Sequence, residues 1–196
     1  NYLHIYLSVD GVVPHENNAV FMSSLSSENL GPVLLPGGER CVNLENLWEF
    51  SKVAKSFIGD RGAIKPEYYD ARKTGFGDDS YQYYTDDEAF FLFKDVKGNE
   101  RRYTFLEAKF FFCHHYEMLA RESADFSRLK TLREEKFNMQ IAGSIFVKRT
   151  PIEHYIQDIQ NFDQSMILYC MLTIDDPNNY PWRVASRFGD LYKNMF

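Results

Sequence analysis

The apolar positions of the chain change period several times, and each change marks an element. Residues 1 to 10 alternate rings (Tyr2, His4, Tyr6) with aliphatic side chains (Leu3, Ile5, Leu7). Such alternation predicts a strand with two buried or half-buried faces. A short strand is expected around Ala19–Met22. Another is expected at Val33–Leu35, bracketed by Gly31-Pro32 and Pro36-Gly37-Gly38. The period then lengthens. Leu44, Leu47, Trp48, Ser51, Ala54 and Phe57/Ile58 recur at helical spacing behind Asn43, a residue type that caps helix N-termini. This predicts a helix over Asn43–Val53, with Gly59 and Gly62 as stop signals.

Pro66 opens a short helix expected over residues 66–72, and Thr74–Glu88, rich in glycine, tyrosine and acids, reads as a loop. Ala89–Lys94 and Arg101–Tyr103 read as a hairpin turning at Lys97-Gly98-Asn99. Thr104-Phe-Leu-Glu107 is a capping box, which opens a helix to about Glu122. Further helices are expected at Asp125–Lys136, from Thr150-Pro151 onward, at Asp163–Thr173 with Asp163 as its N-cap, and at Pro181–Asn194. Met139–Val147 reads as a buried strand. Strands and helices mix without regular βαβ alternation. The expected fold is therefore α+β: a single compact domain over residues 1–196, with a small sheet packed by several helices. A length of 196 residues suits one sizeable core.

Composition narrows the function classes. The 17 Phe and 13 Tyr either build a ring-rich core or partly line a pocket for a planar ligand. A net charge of −6 without a long basic run argues against a protein that lives by non-specific phosphate contacts. Local basic patches from Arg101-Arg102, Lys148-Arg149 and Arg183/Arg187 stay open. Cys41, Cys113 and Cys170 are isolated, odd in number and set in apolar stretches, which points to buried thiols in a reducing, cytoplasmic compartment. No signal-peptide pattern and no apolar run of bilayer-spanning length is visible, so no membrane is expected as a partner.

Phosphate-binding glycine loops, HExxH and GxSxG are absent. His114 and His115 are adjacent, so on a helix they point about 100° apart and chelate poorly. One is expected toward the core and the other at the surface. Asp78 and Asp79 alone are weak grounds for a divalent ion. Neither a metal nor a cofactor is expected. A cluster of Glu107, Lys109 and Glu117 is a second candidate, although Glu107 already serves the capping box. The more informative pattern is Glu45, Glu49 and Lys52, at i, i+4 and i+7, one stripe of a helix beside Trp48. On spacing alone this stripe reads first as a solvent-facing ion-pair row, and Trp48 beside it is the feature that favours a site.

The segment Glu45-Asn-Leu-Trp-Glu49-Phe-Ser-Lys52-Val53 resembles the signature helix of the NADAR superfamily, a Glu-His-x-x-Gln-x-x-Lys-Phe pattern. The order of a Leu-Ser turn (Leu25-Ser26-Ser27), a Pro/Gly loop (Leu30-Gly31-Pro32, Pro36-Gly37-Gly38) and then the helix is also similar to that family. The resemblance is closest over residues 25–53, with a looser echo in the apolar helix Gln164–Leu172. Asn46 stands in place of the His, Glu49 in place of the Gln and Val53 in place of an aromatic, and the family's later Asp-x-x-Trp-Gly element has no clear match.

The resemblance implies an N-glycosidase acting on a nucleotide-like small molecule, an ADP-ribose adduct or a modified base in nucleic acid. Glu45 would stabilise an oxocarbenium-like sugar or activate water. Lys52 would hold a phosphate or form an imine with the opened sugar, with Glu49 orienting it. Trp48, Arg72, Lys73, Phe76, Tyr81 and Tyr84 would bind substrate, the loop rings sandwiching the base. Two other readings stand beside it. One is a non-catalytic nucleotide or ADP-ribose binding module, suggested by Asn46 and Glu49. The other is an interaction protein, such as an inhibitor of a host or phage enzyme, suggested by the acidic charge and the many tyrosines.

Overall fold

The computed structural model describes residues 3–7, 18–80, 87–141 and 162–184. Its elements in chain order are β1 (Leu3–Tyr6), β2 (Ala19–Phe21), β3 (Val33–Leu34), β4 (Arg40–Cys41), α1 (Leu44–Ser51), β5 (Lys52–Ala54), α2 (Pro66–Gly77), β6 (Glu88–Lys94), β7 (Glu100–Tyr103), α3 (Phe105–Glu122), α4 (Ala124–Glu134), β8 (Met139–Ile141), α5 (Gln164–Thr173) and α6 (Pro181–Val184). The architecture is α+β, as the mixed pattern predicts. No helix of the described residues is long and apolar enough to cross a membrane.

Three small sheets carry the strands. In the first, β1 lies between β2 and β8 and runs parallel to both, with Ile5 opposite Val20 on one side and Ile141 on the other. The second is the β3–β4 pair. The third is an antiparallel meander, β5–β6–β7, with Lys52 opposite Phe91 and Phe91 opposite Tyr103. Strand β6 is covered on both faces. Phe91 and Phe93 join the main core, where Phe93 stacks on Phe111 of α3 with centroids 4.0 Å apart. Leu92 points the other way, into a smaller cluster with Val53 and Tyr68. Most of the rings among the described residues are therefore core. Cys41, Cys113 and Cys170 are free and buried, as their apolar surroundings predict.

Helix α1 begins where expected. Asn43 Oδ1 accepts the Asn46 N–H at 2.7 Å. It ends earlier than its apolar spacing suggests. The helix stops at Ser51, and Lys52 turns to extended backbone so that Val53 and Ala54 can pair with β6. Ladder bonds and burial of a β-branched residue outweigh the continued helical period. Gly59 and Gly62 belong to a short turn beyond β5, not to the end of α1.

Helix α2 is longer than the expected 66–72 and runs through Gly75 to Gly77, so Phe76 is a buried helix residue rather than a loop ring. Gly75 is a contact point, not a breaker, because a Cβ there would collide with the Phe50 ring of α1. The Thr104–Glu107 capping box opens α3, and Asp163 caps α5 by accepting the Met166 N–H at 2.9 Å. Tyr81, Tyr84, the Thr150-Pro151 helix start and most of the expected 139–147 strand and 181–194 helix lie outside the described residues.

The split expected for the histidine pair is not found: His114 and His115 are both buried. Helix α3 packs against α1, α4, α5, α6, β6 and β7, so little of its middle faces solvent. Burial pushes His114 down to about 4 and His115 down to about 3, the charge of His114 adding to the second effect. Their folded-state values lie below the usual 6.5, so the unfolded chain binds more protons in the intervening window. Stability thus falls as pH drops from about 6.5 towards 4, with a slope of about 1.4 kcal/mol per pH unit for each histidine. In His115→Asn this slope is expected to shrink by that amount, as read by urea denaturation across the window. At the α1–α2 contact, Gly75→Ala should lose about 1–3 kcal/mol through overpacking. Gly77→Ala, with open space at its Cβ, should lose less in the same denaturation assay.

Candidate functional site

The N-terminus of α1 is tied to the preceding loop. Leu44 N–H donates to Leu30 O at 2.8 Å, and Glu45 N–H to Ser27 O at 3.0 Å. With the Asn43 cap, these bonds satisfy the N–H groups that a helix start leaves open. Gly31 allows the approach, since a Cβ there would collide with Val42 O. Ser27 then holds the candidate carboxylate. Its Oγ donates to Glu45 Oε2 at 2.7 Å, and its backbone N–H donates to Gln164 Oε1 at the start of α5, also at 2.7 Å.

Glu49, one turn on from Glu45, accepts from Lys52 Nζ at 2.6 Å, with both side chains largely shielded from solvent. The expected Glu49–Lys52 pairing is therefore present, although Lys52 sits on β5 and not on the helix. Burial pushes the Glu49 carboxyl above the usual carboxylate range. The Lys52 hydrogen bond and charge oppose the rise, and the Glu45 and Glu88 charges add to it. Desolvation outweighs the short ion pair because only one oxygen is served: Oε2 is buried without a hydrogen-bond partner among the described residues.

Trp48 lies between these groups, half-buried in a ring cluster. Phe91 is 4.6 Å away and tilted, and Phe105 and Phe112 present edges at 5.6 and 5.4 Å. Lys52 and Lys109 both lie over its ring, at 5.8 and 4.6 Å from the centroid. Much of the ring is thus covered, which leaves less of it for stacking on a base than a free indole at a site edge would offer. The lysine Lys109 of α3 joins this cluster. Glu107 instead completes the capping box, so the second candidate trio does not form one site. Glu117, fully buried, accepts from Trp182 Nε1 at 2.8 Å, Arg121 Nε at 3.0 Å and Arg183 at 2.6 and 3.1 Å. That carboxylate locks α6 onto α3.

Arg72, Lys73 and Phe76 do not join Glu45. Buried Arg72 donates to Leu92 O at 2.6 Å and Tyr68 OH at 3.2 Å, pairs with Glu39 at 3.3 Å, and lies over the Phe76 ring. With Lys73, exposed Arg40 and Lys94, it lines a separate groove on α2. The cause is helix phase. Asn46 and Phe50 face α2, whereas Glu45 and Glu49 lie about 100° round the α1 axis. Asn46, where the resembled pattern has His, donates to Gly75 O at 2.6 Å and Asp78 O at 2.9 Å, serving carbonyls at the end of α2.

The contributions of Ser27, Gln164 and Lys109 depend on long-range contacts and carry no local spacing signal. Ser27 stands in the Leu25-Ser26-Ser27 turn, Gln164 opens the expected apolar helix and Lys109 belongs to the second candidate trio, but nothing local joins any of them to Glu45. Among the described residues no three His, Cys, Asp or Glu side chains come together to hold a metal ion.

Removing Lys52 leaves Glu49 without its counter-charge. Lys52→Met should lose about 2–4 kcal/mol at neutral pH. The loss should shrink in acid, where Glu49 is protonated and needs no partner, and Lys52→Met/Glu49→Gln should recover most of it. Urea denaturation at the two pH values checks all three outcomes.

No protein-family model matches the chain, and neither the curated proteins nor the solved structures yield a significant match.

Proposed function

We propose that this protein is an N-glycosidase, cleaving the base–sugar bond of a nucleotide, an ADP-ribose adduct or a modified nucleobase, as a divergent NADAR-like chain. The observation that carries the reading is the placement of Glu45. It is a half-buried carboxylate, oriented by Ser27 at 2.7 Å, one helical turn from the Glu49–Lys52 pair and close to Trp48. Breaking an N-glycosidic bond develops positive charge on the sugar. A carboxylate fixed beforehand stabilises that charge or accepts the proton of the attacking water without reorganising. Lys52, held by Glu49, supplies a cation for a substrate phosphate, or an amine for an imine once Glu49 has taken its proton. Substrate is recognised through these polar groups and the edge of Trp48.

A second reading, a nucleotide or ADP-ribose binding module without catalysis, draws on two observations: Asn46 is committed to α2, and the Trp48 ring is largely covered. One experiment separates the two. Purified protein is incubated with NAD, ADP-ribosylated guanosine and a panel of nucleotides, and base release is followed by chromatography. The hydrolase reading expects release that falls by at least about 100-fold in Glu45→Gln, with circular dichroism and thermal midpoint unchanged. Normal turnover by that variant refutes the assignment of Glu45. Tight binding by calorimetry without base release over hours favours the binding module.

A further inference from the structure

Lys109 differs from every other cation near Glu45. Its Nζ sits among three rings, 4.6 Å from the Trp48 centroid, 5.3 Å from Phe112 and 5.6 Å from Phe105. Among the described residues it takes part in no ion pair, whereas Lys52 is bound to Glu49. Burial pushes the Lys109 amine below the usual lysine range, and the charge of Lys52 acts in the same direction. Cys113 on its own helix, Asp163 at the N-cap of α5 and Glu45 on α1 oppose the shift. The rings favour the charged form and the loss of water disfavours it. An amine held down in this way gives up its proton more readily than a solvated lysine does.

We infer that Lys109 is the general acid of the site, giving its proton to the departing base nitrogen while Glu45 takes the proton of the attacking water. This role rests on the N-glycosidase reading. The C–N bond breaks with its electron pair going to nitrogen, and that nitrogen takes the Lys109 proton. Water oxygen bonds to the sugar carbon, and the proton it loses goes to the Glu45 carboxylate. Lys109 ends neutral and Glu45 protonated. Proton return from Glu45 to Lys109, directly or through solvent, restores both. Lys52 is less suited to this step because Glu49 holds its proton at 2.6 Å.

The test compares two ribosides that differ in their need for an acid. Para-nitrophenyl riboside leaves as a stabilised anion, whereas guanosine monophosphate releases a base that must be protonated. In Lys109→Met, and equally in the permanently charged Lys109→Arg, the loss of kcat on guanosine monophosphate should exceed the loss on the nitrophenyl riboside by at least about 30-fold. In substrate-free protein, competitive acetylation mapped by mass spectrometry should find Lys109 half-reactive at a lower pH than exposed Lys73. Equal losses on the two ribosides, or Lys109 titrating together with Lys73, overturn this role and leave the hydrolase reading standing. If the wild-type protein cleaves neither riboside nor any substrate of the wider panel, the hydrolase reading falls, and the role of Lys109 falls with it.

Discussion

The N–H groups at the start of α1 must find acceptors, and the way they do so sets much of the remaining geometry. Leu30 O, Ser27 O and Asn43 Oδ1 each take one, which draws the loop before the helix tightly over its first turn. Gly31 is the residue that permits this closeness. Once Ser27 is fixed there, its two remaining donors have defined targets, Gln164 on α5 and Glu45 on α1. A helix cap thereby also joins two distant helices and orients a carboxylate. Removing any member of the set leaves a buried polar group without its partner, which costs more than the net value of one hydrogen bond.

The same economy governs the other buried charges. Glu117 is inaccessible to water yet is served by two arginines and an indole N–H, so its desolvation is largely offset and its task is to hold α6 in place. Glu49 is the contrasting case. It has one strong partner and one buried oxygen without any, and its carboxyl rises accordingly. Incomplete compensation of this kind gathers around Trp48, where Lys109 is also held short of an ion pair. Among the described residues, buried Glu117 and Arg72 are by contrast fully paired.

The legible parts of the sequence were those decided within one or two helical turns. Asn43, Thr104 with Glu107, and Asp163 are caps whose partners lie three residues away, and each is found where the residue types indicate. The end of α1 was not legible, because β5 exists only by pairing with β6, more than thirty positions downstream. Gly75 reads as a helix stop unless Phe50 is known to lie against it. The burial of both histidines likewise follows from α3 being surrounded, which periodicity cannot reveal when nearly every face is apolar or aromatic. Within the candidate site, the Glu45, Glu49 and Lys52 stripe was visible. That Ser27, Gln164 and Lys109 join it was not, since each reaches it through tertiary contact.

Helix phase separates two sets of residues that sequence proximity would place together. The Asn46 and Phe50 face of α1 is spent on α2, and the groove around Arg72 and Lys73 lies on that side. The Glu45 and Glu49 side carries the Ser27 and Lys52 contacts instead, with the rings of α3 and β6 packed on the neighbouring Trp48. A substrate seated at Glu45 therefore meets lysines rather than arginines, and a ring that is already supporting two of those lysines. Single ammonium groups act as point charges and proton carriers, whereas arginine forks read the shape of a phosphate. On the N-glycosidase reading proposed above, the α1 site therefore offers its substrate a fixed carboxylate and point-charge lysines rather than arginine forks.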